Sequence, residues 1–213
     1  MKKIKVNEIF YSLQGESSYV GLPTIFIRLT GCPMRCNYCD TSYAFNAGDN
    51  FTINHILEII SQYKTKNVTV TGGEPLAQKE CWSLLKQLCD RGYKVSLETG
   101  GAISISEIDK RVKIVLDIKT PGSGEEKNNF WGNLELIKSN DEIKFVITDI
   151  KDYIWAKELL VREKLNEKAL ILFSPVFSDL NPKYLAEWIL KDQLPVRFQI
   201  QLHKIIWGEV PGV

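Results

Sequence analysis

Charge of one sign is lacking in this 213-residue chain: 27 Lys and Arg stand against 26 Asp and Glu, for a formal net charge of +1. No long basic run or stripe stands out, which argues against a general electrostatic grip on nucleic acid and leaves a small molecule as the expected substrate. The N-terminus, Met1 to Lys5, lacks a long apolar run and leads straight into patterned sequence. The expectation is a cytoplasmic protein with neither secretory signal nor membrane anchor. No internal repeat or low-complexity tract is visible. With 44% hydrophobic and 25% charged residues, the chain can build one sizeable core in a single domain, residues 1–213. Histidine is scarce, two in all, which bears on any metal site.

Cysteines number five, and three are clustered as Cys32, Cys36 and Cys39. That distribution suits a reducing compartment better than a disulfide framework. Cys81 and Cys89, eight apart on an expected helix, read as core packing. A structural zinc site wants four ligands, in most cases as two close pairs, and here no second pair exists. Three thiolates instead suit a [4Fe-4S] cluster, holding three irons and leaving the fourth open to an external ligand. A zinc site completed by a histidine, and cysteines that merely pack, stay open as alternatives at this point.

In chain order, Ile4 to Tyr11 alternates as a strand and ends in the polar turn Ser12 to Glu16. Thr24 to Thr30 reads as a mostly buried strand interrupted by Arg28, whose guanidinium needs either an internal carboxylate or a substrate carboxylate as partner. A polar loop runs through Asn50; Thr52 then caps a helix whose apolar face runs from Ile53 to Tyr63. Val68 to Thr71 is a strand running into Gly72-Gly73-Glu74-Pro75, followed by a helix from Leu76 to Arg91 that ends at Gly92. Paired glycines between strand and helix let backbone approach a ligand.

The rhythm continues with strand Lys94 to Glu98, a short helix near Ser106 to Arg111, and strand Ile114 to Ile118, with Asp117 and Lys119 at its end. Strand Lys144 to Thr148, a helix from Ile150 to Val161, strand Ala169 to Phe173, a helix near Pro182 to Leu190 and a last strand Val196 to Leu202 follow. Thr120 to Asn133 is the most flexible-looking segment. Strands alternating with helices imply an α/β fold with a parallel sheet. The chain is short for an eightfold barrel, so the expected architecture is a partial, open β/α barrel with about six parallel strands and its site at their C-terminal ends.

The C-x3-C-x2-C spacing, with Tyr38 before the last cysteine, resembles the signature of radical S-adenosylmethionine enzymes, and Gly72 to Pro75 resembles their GGEP turn. Within that superfamily, Ile9 to Glu16, Arg28 ahead of Gly31-Cys32, Cys39-Asp40-Thr41, Thr71 to Pro75, Glu98-Thr99 and Gln201 to Lys204 resemble the 7-carboxy-7-deazaguanine synthase family. The tail Ile205 to Val213 departs from it. The resemblance implies a radical SAM core and a radical lyase of queuosine biosynthesis. Such an enzyme contracts the ring of 6-carboxy-5,6,7,8-tetrahydropterin to 7-carboxy-7-deazaguanine, with loss of ammonia. S-adenosylmethionine cleaved at the open iron would supply a 5'-deoxyadenosyl radical and be regenerated.

It further implies that Cys32, Cys36 and Cys39 hold the [4Fe-4S] cluster. Tyr38, Gly73, Glu74, Asp117, Lys119 and Ser174 would line S-adenosylmethionine. Leu13, Gln14, Gly15, Arg28, Thr71 and His203 would hold the pterin, and Thr41 would bind Mg2+. An external electron donor such as flavodoxin or ferredoxin and a homodimer are expected at family level. The other reading within the superfamily is an activase of a glycyl-radical enzyme, which shares the cysteine triplet and the GGEP turn.

Overall fold

The computed structural model describes residues 3–177, 179–208 and 210–213. Met1 and Lys2 of the expected leaderless start, and Glu209 within the tail, lie outside the described residues. Strands β1 (Lys3–Leu13) and β2 (Pro23–Leu29) pair antiparallel, and β3 (Asp49–Thr52) pairs antiparallel with β1 on its other side. From β2 the sheet runs parallel through β4 (Asn67–Gly72), β5 (Lys94–Thr99), β6 (Lys113–Ile118), β7 (Glu142–Ile147) and β8 (Leu170–Pro175). The two-residue β9 (Arg197–Phe198) extends it beyond β8. Among the described residues β3 and β9 remain the two edges of one nine-stranded sheet, so the barrel is open.

Helices α1 (Ile53–Ser61) and α2 (Glu80–Asp90) precede β4 and β5; α3 (Ile150–Arg162) and the short α4 (Leu165–Lys168) precede β8; α5 (Pro182–Asp192) precedes β9 and α6 (Leu202–Trp207) follows it. Thr52 caps α1 by accepting from His55 N at 3.2 Å, and Asp149 caps α3. Gly92, at φ +78°, takes the left-handed conformation after α2.

Strand side chains alternate between two faces, and that alternation creates the site. One face carries Ile25, Ile27, Leu29, Val68, Val70, Leu97, Leu116, Phe145 and Phe173, all in one apolar core with Ile56, Leu84, Leu88, Leu159 and Leu185 of the helices. The opposite face carries Glu8, Arg28, Thr69, Thr71, Glu98, Asp117 and Lys144, with Arg28 in register with Thr71 and Asp117 with Lys144. Each large apolar side chain buried on the first face stabilises by about 1.5 to 3 kcal/mol, which lets the second face hold polar groups.

Five expectations need correction. The helix expected from Leu76 begins at Glu80, because Gln78 is extended and its side chain bonds the backbone of Lys5 and Thr30. Ser106 to Arg111 forms turns rather than a helix; Asp109 draws the N–H of Arg111 into a local bond at 3.0 Å that competes with helix. The last strand is Arg197–Phe198 alone, since Gln199 turns to bond the backbone N–H and carbonyl of Ser17 at 2.9 and 2.8 Å, and α6 begins at Leu202. Asp49 and Asn50, read as loop, belong to β3, whose last residue, Thr52, has the expected role of capping α1. The segment Thr120 to Asn133, flexible-looking in sequence, is a run of short 3-10 turns, with Asn133 buried and bonded to Gly101, Ile103 and Ile105.

Candidate active site

A cavity of about 230 Å³ opens over the polar face at the C-terminal ends of the parallel strands. The loop after β2 brings Cys32, Cys36, Tyr38, Cys39 and Thr41 to it, and the turn after β4 brings Gly72 and Gly73. The Ser12 to Glu16 turn supplies Leu13, Gln14 and Gly15, the strands supply Arg28, Thr71, Glu98, Asp117 and Lys144, and α6 supplies His203 and Lys204. Of the residues singled out in the sequence, two fall outside the lining. Ser174 is buried on β8. Glu74 is fully buried and turned away, accepting from Leu76 N at 3.0 Å, Gly100 N at 2.8 Å and the Thr99 hydroxyl at 2.9 Å. These bonds clamp the end of β4 to the end of β5.

The three cavity cysteines are free and partly buried. Among the described residues, no group of three His, Cys, Asp or Glu side chains surrounds one metal-ion position. Burial raises the Cys32 thiol and pushes the Cys36 thiol up to about 11, so binding iron would release protons. A Cβ on Gly73 would collide with the Gly31 carbonyl and with Cys32, and Glu74 N donates to Gly31 O at 2.8 Å. The glycine turn thus packs directly on the cysteine loop. Two buried polar atoms in this part of the cavity, Tyr38 Oη and Asp117 Oδ1, have no hydrogen-bond partner among the described residues. Unpaired buried groups of this kind mark a place for a polar ligand. The residues present therefore fit an iron-sulfur cluster with a polar cofactor beside it.

The other half of the cavity is a charge network. Lys144 pairs with Glu16 and lies 3.8 Å from Asp117, which pairs with Lys119 at 3.1 Å. Burial pushes the Glu16 carboxyl up, but Lys144 and Gln201 pull it below the usual range. For Glu98 the balance runs the other way: burial and the neighbouring Glu16 raise it, against the weaker pull of Lys144, Thr71 and Arg28. It accepts from Gln14 Nε2 at 3.2 Å and from the Thr71 hydroxyl at 3.0 Å. Gln14 also bonds Thr69 and the N–H of Glu16, so its amide orders the turn as well as the wall of the cavity.

Arg28 Nε donates to Glu8 Oε1 at 2.6 Å, and the guanidinium lies near the rings of Phe10 and Tyr43. Thr41 Oγ1 is 3.9 Å from Cys39 Sγ, while its neighbour Asp40, with an exposed side chain, is held below the usual carboxylate range by Lys204 at 2.9 Å. A Cβ on Gly15 would strike the His203 ring, and Leu202 N donates to Gly15 O at 3.0 Å. The chain's end is thereby locked onto its beginning. Burial lowers the His203 pKa, favouring the neutral ring.

Sequence reasoning missed Glu16, Glu98 and Lys144 as members of the site. The signal was present: Glu98 and Lys144 interrupt apolar strands at the same alternation as Arg28, and a charge in a buried strand face needs a partner or a ligand.

Comparisons with known proteins agree with this geometry. Residues 26–120 match the sequence model of the Radical SAM superfamily. The chain is 45% identical over 208 residues to 7-carboxy-7-deazaguanine synthase of Chlorobaculum tepidum, covering 96% of this chain and 94% of the relative. It is 39% identical to the enzyme of that name from Koribacter versatilis, covering 99% and 100%. In fold it resembles the crystal structure of QueE from Escherichia coli, with TM-score 0.77 and 24% identity over 94% of this chain and 95% of that one. A more distant likeness is Streptococcus suis SuiB bound to S-adenosylmethionine, with TM-score 0.57 and 16% identity over 80% of this chain and 48% of that one.

Proposed function

Because the chain belongs to the 7-carboxy-7-deazaguanine synthase family of radical S-adenosylmethionine enzymes, we propose that this cavity binds a carboxylated tetrahydropterin beside the cluster and S-adenosylmethionine. The protein is a 7-carboxy-7-deazaguanine synthase, a radical lyase that contracts 6-carboxy-5,6,7,8-tetrahydropterin with loss of ammonia. Its cofactors are a [4Fe-4S] cluster and S-adenosylmethionine, which supply a one-electron C–S cleavage and a carbon radical able to take hydrogen from substrate. The near full-length relatives leave the activase reading without support.

The chain's own residues bind, orient and shield. In our reading Cys32, Cys36 and Cys39 ligate the cluster, and Gly73 lets backbone approach the S-adenosylmethionine amino group. Tyr38, Asp117 and Lys119 meet the cofactor's polar groups, with the unpaired atoms of Tyr38 and Asp117 in support. Glu74 acts through its clamp on Gly100 rather than by touching the cofactor, and Ser174 stands on the polar face of β8, in register with the cavity-lining Val146. Leu13, Gln14, Gly15, Arg28, Thr71 and His203 hold the pterin; the outer nitrogens of Arg28 suit its carboxylate, with Nε anchored by Glu8. Thr41 would offer Mg2+ an oxygen ligand, the donor type that a hard cation takes. Few side chains need to move protons, since positioning and exclusion of water carry the protein's share.

The single observation behind the substrate half of this reading is the half-buried cation on the polar face, Arg28, opening into the same cavity as the cysteine triplet. Titrating the reconstituted protein anaerobically with the 6-carboxy pterin and with the pterin lacking the carboxylate tests it: the first should bind at least tenfold more tightly. Equal affinity would overturn it. No helix among the described residues is long and apolar enough to cross a membrane. We place the enzyme in the cytoplasm as a single domain, served by an external donor such as flavodoxin or ferredoxin. Symmetric pairing of two chains is the expected assembly, to be measured by sedimentation.

A further inference from the structure

Cys36 sits between two backbone positions gripped by a distant part of the chain. Arg35 N donates to Glu125 Oε1 at 2.7 Å, and Asn37 N donates to Ser123 O at 2.9 Å. Asn37 adds a bond from Nδ2 to Gly122 O at 3.1 Å. The gripping loop, residues 119–129, is closed on itself, because the Asn129 amide accepts from Lys119 N at 2.9 Å and donates to Lys119 O at 2.8 Å. It also hangs from α3: Asp152, 1% exposed, accepts from Gly122 N at 2.8 Å and the Thr120 hydroxyl at 2.9 Å, and from the N–H and hydroxyl of Thr148. At the turn Gly124 has φ +76°, and a Cβ there would lie 3.2 Å from the Asn37 amide. Asn37, Glu125 and Asp152 do not line the cavity.

A connection between β6 and β7 needs none of the bonds that reach back 85 to 90 residues. Their effect falls on the cysteine loop, which has little regular structure of its own before Ser42. Fixing both neighbours of a ligand removes backbone freedom that metal binding would otherwise have to freeze. The bond to a carboxylate is the stronger kind. We propose that the 119–129 loop is a clamp that positions Cys36, with Glu125 and Asn37 as positioning residues and Asp152 as the anchor, so that the ligand conformation exists before iron binds and persists afterwards. This rests on the reading of Cys36 as a cluster ligand.

Glu125→Ala, Glu125→Gln and Asn37→Ala test it with two readouts besides turnover. In iron-free protein, hydrogen exchange at the Arg35 and Asn37 amides reports the clamp; after anaerobic reconstitution, the rate of iron transfer to a chelator and the electron spin resonance of the reduced cluster report its effect. Glu125→Ala should speed exchange at Arg35 and iron loss by roughly tenfold and alter the resonance. Glu125→Gln, which keeps an acceptor oxygen, should stay near the parent on all three. Unchanged exchange and iron loss in both alanine variants would overturn the proposal, as would a Gln variant as damaged as the Ala one. Should Glu125→Ala fail to fold, Asn37→Ala, which trims an exposed side chain, decides alone. A parent that takes up no cluster would sink the ligand assignment, while amide exchange in the iron-free protein still settles the clamp.

Discussion

Arg28 and Glu8 face each other across β2 and β1, joined by a 2.6 Å bond through Arg28 Nε, and Tyr43 Oη donates to the same Glu8 oxygen at 2.9 Å. Both functions foreseen for a lone arginine in an apolar strand, an ion pair and a carboxylate fork, are thus available at once. The pair engages the Nε of Arg28, and Glu8 itself does not line the cavity that Arg28 enters.

Arg28→Lys keeps the charge and loses the fork, so pterin affinity and turnover should fall together by about tenfold or more, with S-adenosylmethionine affinity unchanged. Arg28→Met should be worse. Equal pterin affinity in both variants would leave Arg28 as a structural partner of Glu8 only.

Replacing Cys32, Cys36 or Cys39 by alanine should abolish cluster incorporation and S-adenosylmethionine cleavage, measured by iron content and by methionine release. Cys81 and Cys89 pack in the core along α2. Alanine there should cost about 1 kcal/mol of stability and leave iron content intact.

Thr41→Ala should reduce the stimulation of turnover by Mg2+, because the hard cation loses an oxygen ligand beside the substrate carboxylate. Retention of the parent Mg2+ dependence would return Thr41 to the role of a turn residue.

Lys144→Met strands Glu16 as a buried charge and should destabilise the protein by about 3 to 5 kcal/mol in urea unfolding. Adding Glu16→Gln should recover most of that loss.

Glu98 carries a pH signature. Burial and Glu16 raise its folded pKa above the unfolded value of 4.5, so its contribution to stability is complete below that value and is lost as pH rises through the folded one. Glu98→Gln, fixed in the neutral form, should therefore lose less stability than the parent on going from pH 4.5 upward. Parallel stability curves would contradict this.

The parallel sheet, the cysteine loop and the glycine turn were legible because each is written in local sequence: a buried apolar run in Thr24 to Thr30, spacing in Cys32 to Cys39, paired glycines after a β-branched strand. Ser106 to Arg111 was not, since Asp109 takes the Arg111 N–H that a helix would use. Val196 to Leu202 has strand composition, but Gln199 finds the Ser17 backbone, 182 residues away, and no local pattern encodes that. The Lys144 and Glu16 pair is equally non-local, although Lys144 announces itself as a charge on an apolar strand. Thr120 to Asn133 looked mobile by its glycines and asparagines, yet those asparagines are the side chains that pin it.

The measurement that bears most directly on the whole account is anaerobic turnover of reconstituted protein with limiting S-adenosylmethionine, reduced donor, Mg2+ and excess 6-carboxy-5,6,7,8-tetrahydropterin, with products identified by mass. The account predicts 7-carboxy-7-deazaguanine and ammonia in amounts exceeding the S-adenosylmethionine supplied, because that cofactor is regenerated. Cleavage of S-adenosylmethionine with the pterin recovered unchanged, by protein carrying its full cluster, would contradict it.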